Sequence, residues 1–241
     1  MTIRCYKHYQ KPLAIGFDLD DTLYDNQPVL EQAESKLQNF LHRHWPKTQN
    51  FAPQDWLSFR NKAIAIDPRL AFDTSASRIA ALRLGFSELG LNDSQSIQNA
   101  NLAFDEFSKW RSNISVEKDV HQLLTDLSQE FRLFVITNGN ADITKFGLDK
   151  YFEFALHAHC DMPMKPAQNM FELAQSRLTI LPQNISYVGD HPVSDVVGAN
   201  NAGWQSIWLN RHNIPLEHRR KPLQLPTLEL SSLQDLSLLM T

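Results

Sequence analysis

Apolar and polar positions fall into three regimes along this chain. The first is a short apolar run, Leu13-Ala14-Ile15-Gly16-Phe17, that stops at three acids and a threonine within Asp18-Leu19-Asp20-Asp21-Thr22. A continuous apolar run of that length, bounded by polar residues, predicts a buried strand of a parallel sheet. The second regime opens at Asn26 and Pro28, a capping residue ahead of a first-turn proline. Val29, Leu30, Ala33, Leu37, Phe40 and Leu41 then recur at helical spacing as far as Trp45-Pro46. Further helices are predicted over 53–66, 74–89 and 94–110, with Pro68 and Gly90 as stops. No strand pattern interrupts residues 25–111. That stretch reads as an all-helical insertion, long enough to close a small core of its own.

In the third regime helical and strand patterns alternate. A helix over 116–130 leads into a strand over 131–136 that ends at Thr137-Asn138-Gly139. A helix over 141–151, a strand over 152–158 and a helix over 166–178 follow. Next come a strand over 185–190 ending in Gly189-Asp190, a helix over 193–201 and a strand over 206–209. The tail is proline-rich over 215–226, with a short helix predicted over 230–240. Such alternation predicts a parallel sheet covered on both faces, with right-handed crossovers. The expected architecture is α/β: residues 1–24 and 112–241 form one Rossmann-like core, and residues 25–111 form an inserted helical cap. If the strands ending at Asp18 and Asp190 are neighbours where the strand order reverses, their acids meet in one crevice.

Composition narrows the classes. Of 241 residues, 42% are hydrophobic and 21% charged, as in ordinary globular proteins. A net charge of −4 argues against a nucleic-acid surface, which needs clustered Lys and Arg. Arg219-Arg220-Lys221 is the one tight basic run, and a solvated loop accounts for it. Cys5 and Cys160 are too few for a disulfide framework, the N-terminal residues carry no apolar signal segment, and no stretch is long enough to span a membrane. A cytoplasmic protein is expected. No Gly-x-Gly-x-x-Gly or P-loop occurs among its eight glycines, which disfavours nucleotide-cofactor and ATPase chemistry.

The acids carry the candidate chemistry. In strand geometry Asp18 and Asp20 share a face, and at an effective dielectric of about 20 two unit charges about 4 Å apart repel by about 4 kcal/mol. A solvated acidic turn and a pair relieved by a cation or a shared proton both fit the residues. Thr137-Asn138-Gly139 reads as a simple turn, or as a hydroxyl and backbone N–H groups facing a phosphate at a helix start. His157, His159 and Cys160 lack the second ligand pair of a zinc site and read as a solvated strand. His42 and His44 read as exposed helix positions, and Trp45, Trp56 and Trp110 as cap core.

In order and spacing, Asp18-Leu19-Asp20-Asp21-Thr22-Leu23, Thr137-Asn138-Gly139, Lys165-Pro166 and Gly189-Asp190-His191-Pro192-Val193-Ser194-Asp195 resemble the four motifs of the haloacid dehalogenase (HAD) superfamily. The match spans the whole α/β part, and the helical insertion falls where the superfamily places its cap. The resemblance implies Asp18 as a nucleophile forming an aspartyl-phosphate, and Asp20 as the acid and then the base. It also implies Mg²⁺ held by Asp18, Asp190 and the Asp20 carbonyl, with Asp195 in support behind them and Thr137, Asn138 and Lys165 on the phosphate. Counting charges supports a cation, because four carboxylates would meet only one ammonium before a dianionic substrate arrives.

Leu23-Tyr24-Asp25-Asn26, Lys109-Trp110-Arg111-Ser112 and Thr137-Asn138-Gly139-Asn140 are similar to a bacterial branch acting on 5-amino-6-(5-phospho-D-ribitylamino)uracil and FMN in riboflavin synthesis. The expected partner is thus a small-molecule phosphate, neither a nucleic acid nor a membrane, and the chain leaves the oligomeric state open. Alternatives are a phosphomutase, a sugar or nucleotide phosphatase, and a non-catalytic module of the same fold. Dehalogenation fits less well, since the superfamily's dehalogenases lack an acid where this chain has Asp20. Tyr24, Trp56, Arg69, Arg78 and Arg111 are candidates to face the substrate from the cap, and the connecting segments 22–26 and 111–116 are the expected hinge.

Overall fold

The computed structural model describes residues 3–213 and 224–239. The Arg219-Arg220-Lys221 run and most of the proline-rich stretch lie outside them. Strand β1 (Ile3–Cys5) precedes β2 (Ala14–Phe17), all four of whose residues are buried. Four helices follow: α1 (Gln27–His44), α2 (Pro53–Ile66), α3 (Thr74–Glu88) and α4 (Asp93–Arg111). The chain continues through α5 (Lys118–Glu130), β3 (Arg132–Thr137), β4 (Ala155–His157), α6 (Asn169–Leu178), β5 (Ile185–Gly189), α7 (Gly198–Asn201), β6 (Gln205–Leu209) and β7 (Leu228–Leu230).

The strands form one sheet in the order β1-β7-β6-β5-β2-β3-β4, parallel throughout except for β1 against β7. Alternating side chains divide its two faces. Ile15, Phe17, Leu133 and Val135 pack with Val120, Leu123, Leu124 and Leu127, the apolar stripe of α5. Ala14, Phe134, Ile136 and Tyr187 pack on the other face with Met170, Phe171, Ala174 and Leu178 of α6. The four inserted helices hold a third core, built on Ala33, Leu37, Leu41, Leu82, Phe86, Ala100, Ala103 and Phe107. No helix among the described residues is long and apolar enough to cross a membrane.

Several local expectations give way to tertiary context. Asn26 precedes α1 without capping it by its side chain; Asp25 Oδ1 accepts from Gln27 N at 3.2 Å instead. The helix expected over 141–151 is two short 3₁₀ turns, Ile143–Phe146 and Asp149–Tyr151, separated by Gly147 in the left-handed conformation. Helix α6 starts at Asn169, after a turn closed by the Ala167 N–H on the Met164 carbonyl at 3.0 Å. The segment Pro192–Val197 winds as a turn of π-helix before α7. The helix expected over 230–240 is β7 followed by the 3₁₀ segment Leu233–Leu239, and β1 goes unpredicted. Glu229 of β7, next to the edge strand β1, is buried and accepts from Tyr6 Oη at 2.6 Å and Asn210 Nδ2 at 2.8 Å.

Gly16 has a specific steric reason. A Cβ there would enter the rings of Phe134 and Tyr187, both fully buried on the neighbouring strands. Gly16→Ala is expected to cost about 1–3 kcal/mol from overpacking, measured as a lower urea midpoint with an unchanged m value.

Candidate active site

The centre of the sheet places the acids. Strand β2 lies between β5 and β3, with Phe17 opposite Val188 on one side and Val135 on the other. The Asp18 N–H extends the β2–β5 ladder to the Val188 carbonyl at 2.9 Å. Asp18 and Asp190 therefore leave adjacent strands at the same edge, where the chain order reverses. Asp18, Asp190 and Asp195 each bring a carboxylate oxygen within 4.8 Å of the other two. The π-helical turn delivers Asp195, and Gly189 leaves room for its carboxylate where a Cβ would collide with it.

Lys165 is 3% exposed and sits among these acids. Its Nζ lies 2.9 Å from Asp18 Oδ1 and 2.8 Å from Asp195 Oδ1, and donates to Tyr187 Oη at 2.8 Å. The Tyr187 hydroxyl itself donates to the Ile136 carbonyl at 2.5 Å. The side chain of Asn138 binds the Lys165 backbone twice, accepting from its N–H at 2.7 Å and donating to its carbonyl at 3.0 Å. Thr137 is buried, and its Oγ1 accepts the Gly139 N–H at 3.0 Å. That N–H is thus engaged within the loop, and no α-helix follows it to present an N-terminus.

Asp20 has partners that sequence reasoning did not assign. Arg111 Nη2, at the end of α4, donates to both Asp20 oxygens at 2.6 and 2.7 Å. Tyr24 Oη donates to Oδ1 at 2.5 Å. A Cβ on Gly139 would strike Asp20 Oδ2, so glycine permits this approach. Arg111 is 2% exposed, and its Nη1 is buried without a hydrogen-bond partner. The four carboxylates therefore meet two cations rather than the single ammonium expected. A signal for Tyr187 was available, since a tyrosine in an otherwise apolar buried strand needs a partner for its hydroxyl. Arg111 lies in the Lys109-Trp110-Arg111-Ser112 stretch already singled out, but nothing in that stretch pointed to Asp20 as its partner.

A cavity of about 690 Å³ extends from this edge into the cap. Asp20, Asn138 and Gly139 form its floor, and side chains of α1, α2, α3 and α4 form its walls. Of the cap candidates, Trp56, Arg78 and Arg111 line it, and Tyr24 reaches Asp20. Arg69 does not line it; it is exposed and paired with Asp67 and Asp161. His42, expected on an exposed face, lines the cavity as well. His157 is held on the Gly139 carbonyl at 3.1 Å. Cap and core also meet through Asn140 Nδ2 on Ser75 Oγ at 3.0 Å and Cys160 Sγ on Asp73 Oδ2 at 3.6 Å.

A profile for haloacid dehalogenase-like hydrolases matches residues 13–203. The chain belongs to that family. It is 34% identical over 235 residues, covering 98% of this chain and 99% of the other, to the 5-amino-6-(5-phospho-D-ribitylamino)uracil phosphatase YigB of Escherichia coli. The human N-acylneuraminate-9-phosphatase is 24% identical over 234 residues, 89% of this chain and 92% of that protein. Among solved structures, a 2-haloacid dehalogenase from Pseudomonas syringae pv. Tomato DC3000 superposes with a TM-score of 0.88 at 32% identity, covering 94% of this chain and 97% of the other. The α/β core with inserted helices is thus the fold of the haloacid dehalogenase-like hydrolases.

The donor set of this hydrolase fits a hard divalent cation. Burial pushes the Asp18 carboxyl up to about 7; the charges of Asp195 and Asp20 push the same way, against Lys165. Burial likewise lifts Asp190 to about 7, with Asp195 and Asp21 adding to it. Burial pulls Lys165 down, but Asp18 and Asp195 more than reverse this and hold it well above its usual range. Burial makes both carboxyls costly to ionise even with the ammonium beside Asp18, a cost that a cation would relieve. Both Asp195 oxygens already accept, from Lys165 Nζ and from the His191 N–H at 2.9 Å, which leaves Asp18 and Asp190 as the available carboxylate ligands.

The raised carboxyls set a pH dependence. Asp18 and Asp190 bind protons more tightly folded than unfolded, so without metal the protein loses stability as pH rises from about 4, the ordinary Asp value, towards 7. Melting curves with and without millimolar Mg²⁺ are expected to show a larger upward shift at pH 8 than at pH 5.5, where protons compete for the ligands. An equal shift at both pH values would place any bound ion elsewhere.

Proposed function

We propose that this protein is a Mg²⁺-dependent phosphatase that hydrolyses a small-molecule phosphate monoester through an aspartyl-phosphate on Asp18. The observation that carries this reading is the Asp18 carboxylate held 2.9 Å from Lys165 Nζ and beside Asp190, with Asp20, two residues on, on the floor of a cavity that opens into the cap. The E. coli relative supports 5-amino-6-(5-phospho-D-ribitylamino)uracil or FMN as the substrate. The phosphatase names of other relatives support the reaction class. The partner is then a small phosphorylated metabolite in the cytoplasm, with no role for nucleic acid or membrane.

In this reading an Asp18 oxygen attacks phosphorus as the ester oxygen departs with a proton from Asp20. Asp20 then takes a proton from water, whose oxygen attacks phosphorus and releases phosphate and the Asp18 carboxylate. Lys165 neutralises Asp18 and the arriving phosphoryl oxygens, and Asp195, Tyr187 and Asn138 hold its ammonium and backbone in place. Thr137, whose Oγ1 accepts from Gly139 N, keeps its own hydroxyl proton for a phosphoryl oxygen. Asp18, Asp190 and the Asp20 carbonyl would hold Mg²⁺, which when bound supplies charge against the phosphoryl oxygens. Because Arg111 Nη2 bonds both Asp20 oxygens, a proton on Asp20 requires the guanidinium to leave one of them. Cap movement about segments 22–26 and 111–116 provides that step and also admits substrate.

Halide release is the competing reading, prompted by the P. syringae 2-haloacid dehalogenase. A departing halide needs no proton, whereas Asp20 is held by Arg111 and Tyr24 at the position an acid would occupy.

Asp18→Asn is expected to lower phosphate release from FMN by at least about a thousandfold while leaving the fold and phosphate binding in place. Steady-state phosphate release, circular dichroism and phosphate titration read the three parts. Turnover comparable to the parent enzyme would refute the nucleophile assignment, and chloride release from 2-chloropropionate without phosphate release from any ester would favour the dehalogenase.

A further inference from the structure

The cap end of the cavity is far larger than a phosphoryl group needs, and its chemistry is selective. Its walls are chiefly aliphatic and aromatic. Trp56 is fixed there: Gly85 of α3 offers no Cβ, and one would overlap the indole ring, while Phe51 and Phe59 meet the indole edge-on at centroid distances of 5.4 and 5.8 Å. A pinned indole is a preorganised stacking wall, which loses little entropy when a flat group lies on it.

The charged wall residues differ in what they have to spare. Arg78 is committed twice, to Glu34 at 2.6 and 3.1 Å and to the Phe107 ring at 3.7 Å, so this pair neutralises itself. Arg60, one helical turn after Trp56 on α2, is different. It is half-buried, donates from Nε to Ser77 Oγ at 3.2 Å, and has no carboxylate within salt-bridge distance among the described residues. Its terminal N–H groups are available to the cavity it lines. A guanidinium fork beside a flat aromatic wall suits neutral carbonyl oxygens on a ring edge. A carboxylate would also pair with Arg60, but it would be desolvated in a cavity whose walls are chiefly apolar.

We propose that Trp56 and Arg60 form a leaving-group subsite that selects a planar heterocycle bearing ring carbonyls, with Trp56 stacking on the ring and Arg60 donating to its carbonyl edge. The proposal rests on the reading of Asp18 and Lys165 as the phosphate site, joined to the cavity floor through Asp20 and Asn138. The chain linking ring and phosphate would then lie between Trp56 and Asp20.

Ribitol 5-phosphate and FMN share the phosphorylated polyol and differ by the ring. Arg60→Gln is expected to lower the FMN-to-ribitol-5-phosphate ratio of kcat/KM by about tenfold, the effect of losing one charged hydrogen bond, and Trp56→Leu to lower it similarly. A purely structural role would lower both substrates together and leave the ratio unchanged, which would overturn the proposal. Riboflavin binding, followed by quenching of flavin fluorescence, reads the subsite without catalysis. It should saturate on the parent enzyme and weaken about tenfold in Arg60→Gln at an unaltered melting temperature. No riboflavin binding would refute the subsite. Arg60-dependent riboflavin binding without turnover of any phosphate ester would uphold it and reject the phosphatase reading. Preference for N-acetylneuraminate 9-phosphate over FMN, lost in Arg60→Gln, would show that Arg60 serves a carboxylate and overturn the heterocycle assignment.

Discussion

One buried ammonium organises the functional edge of this hydrolase. Lys165 Nζ lies within 2.9 Å of Asp18, Asp195 and Tyr187, almost wholly removed from water. Burying such a group is tolerable only when its partners are fixed, and removing one partner of a buried pair costs about 3–5 kcal/mol. The surrounding structure meets that demand in several ways. Asn138 grips the Lys165 backbone, Tyr187 is tied to the Ile136 carbonyl, and Asp195 is tied to the His191 N–H. The two glycines nearest this set matter for the same reason. Gly16 makes room for the Tyr187 ring and Gly189 for the Asp195 carboxylate, so backbone without side chain lets the partners close around one cation.

The cap is a separate packing problem joined to this edge at few points. Its core of α1, α3 and α4 residues shares no member with the two clusters on the sheet faces. Hydrophobic burial therefore holds the cap together without fixing its position over the sheet. Polar contacts among the described residues that join the two include Arg111 to Asp20, Asn140 to Ser75, Cys160 to Asp73 and Arg69 to Asp161. Half-buried polar contacts such as Asn140 to Ser75 contribute little net stability. Arg111 stands out among them because it is buried and grips an acid of the core.

The cavity lies where these two parts meet, and its two ends differ chemically. The floor offers the Asp20 carboxylate, an amide and glycine backbone, whereas the cap offers Trp56, leucines and arginines. The polar end therefore lies against the sheet edge and the more apolar end within the cap.

The sequence by itself determined the architecture and the identity of the acids. Apolar runs ending at Asp18 and Asp190, helical periodicity from 27 to 111, and alternation beyond it are local patterns, each dictated by which face must be buried. The motifs named Asp18, Asp20, Thr137, Asn138, Lys165, Asp190 and Asp195, and the sheet brings the ends of β2, β3 and β5 to one edge, where Lys165 and Asp195 join them from the segments that follow β4 and β5. Tertiary structure alone decided the partners. Arg111 is 91 residues from Asp20 in sequence, and its side chain resembles those of Arg69 and Arg78 until packing buries it at the end of α4. Strand β1 forms by pairing with β7, 223 residues or more away in sequence, and the buried Glu229 finds donors 223 and 19 residues away, although Ile3–Cys5 has no strand pattern of its own. Periodicity reports the burial of a face, but which distant charge meets another depends on how separately packed units dock, and no local pattern encodes that.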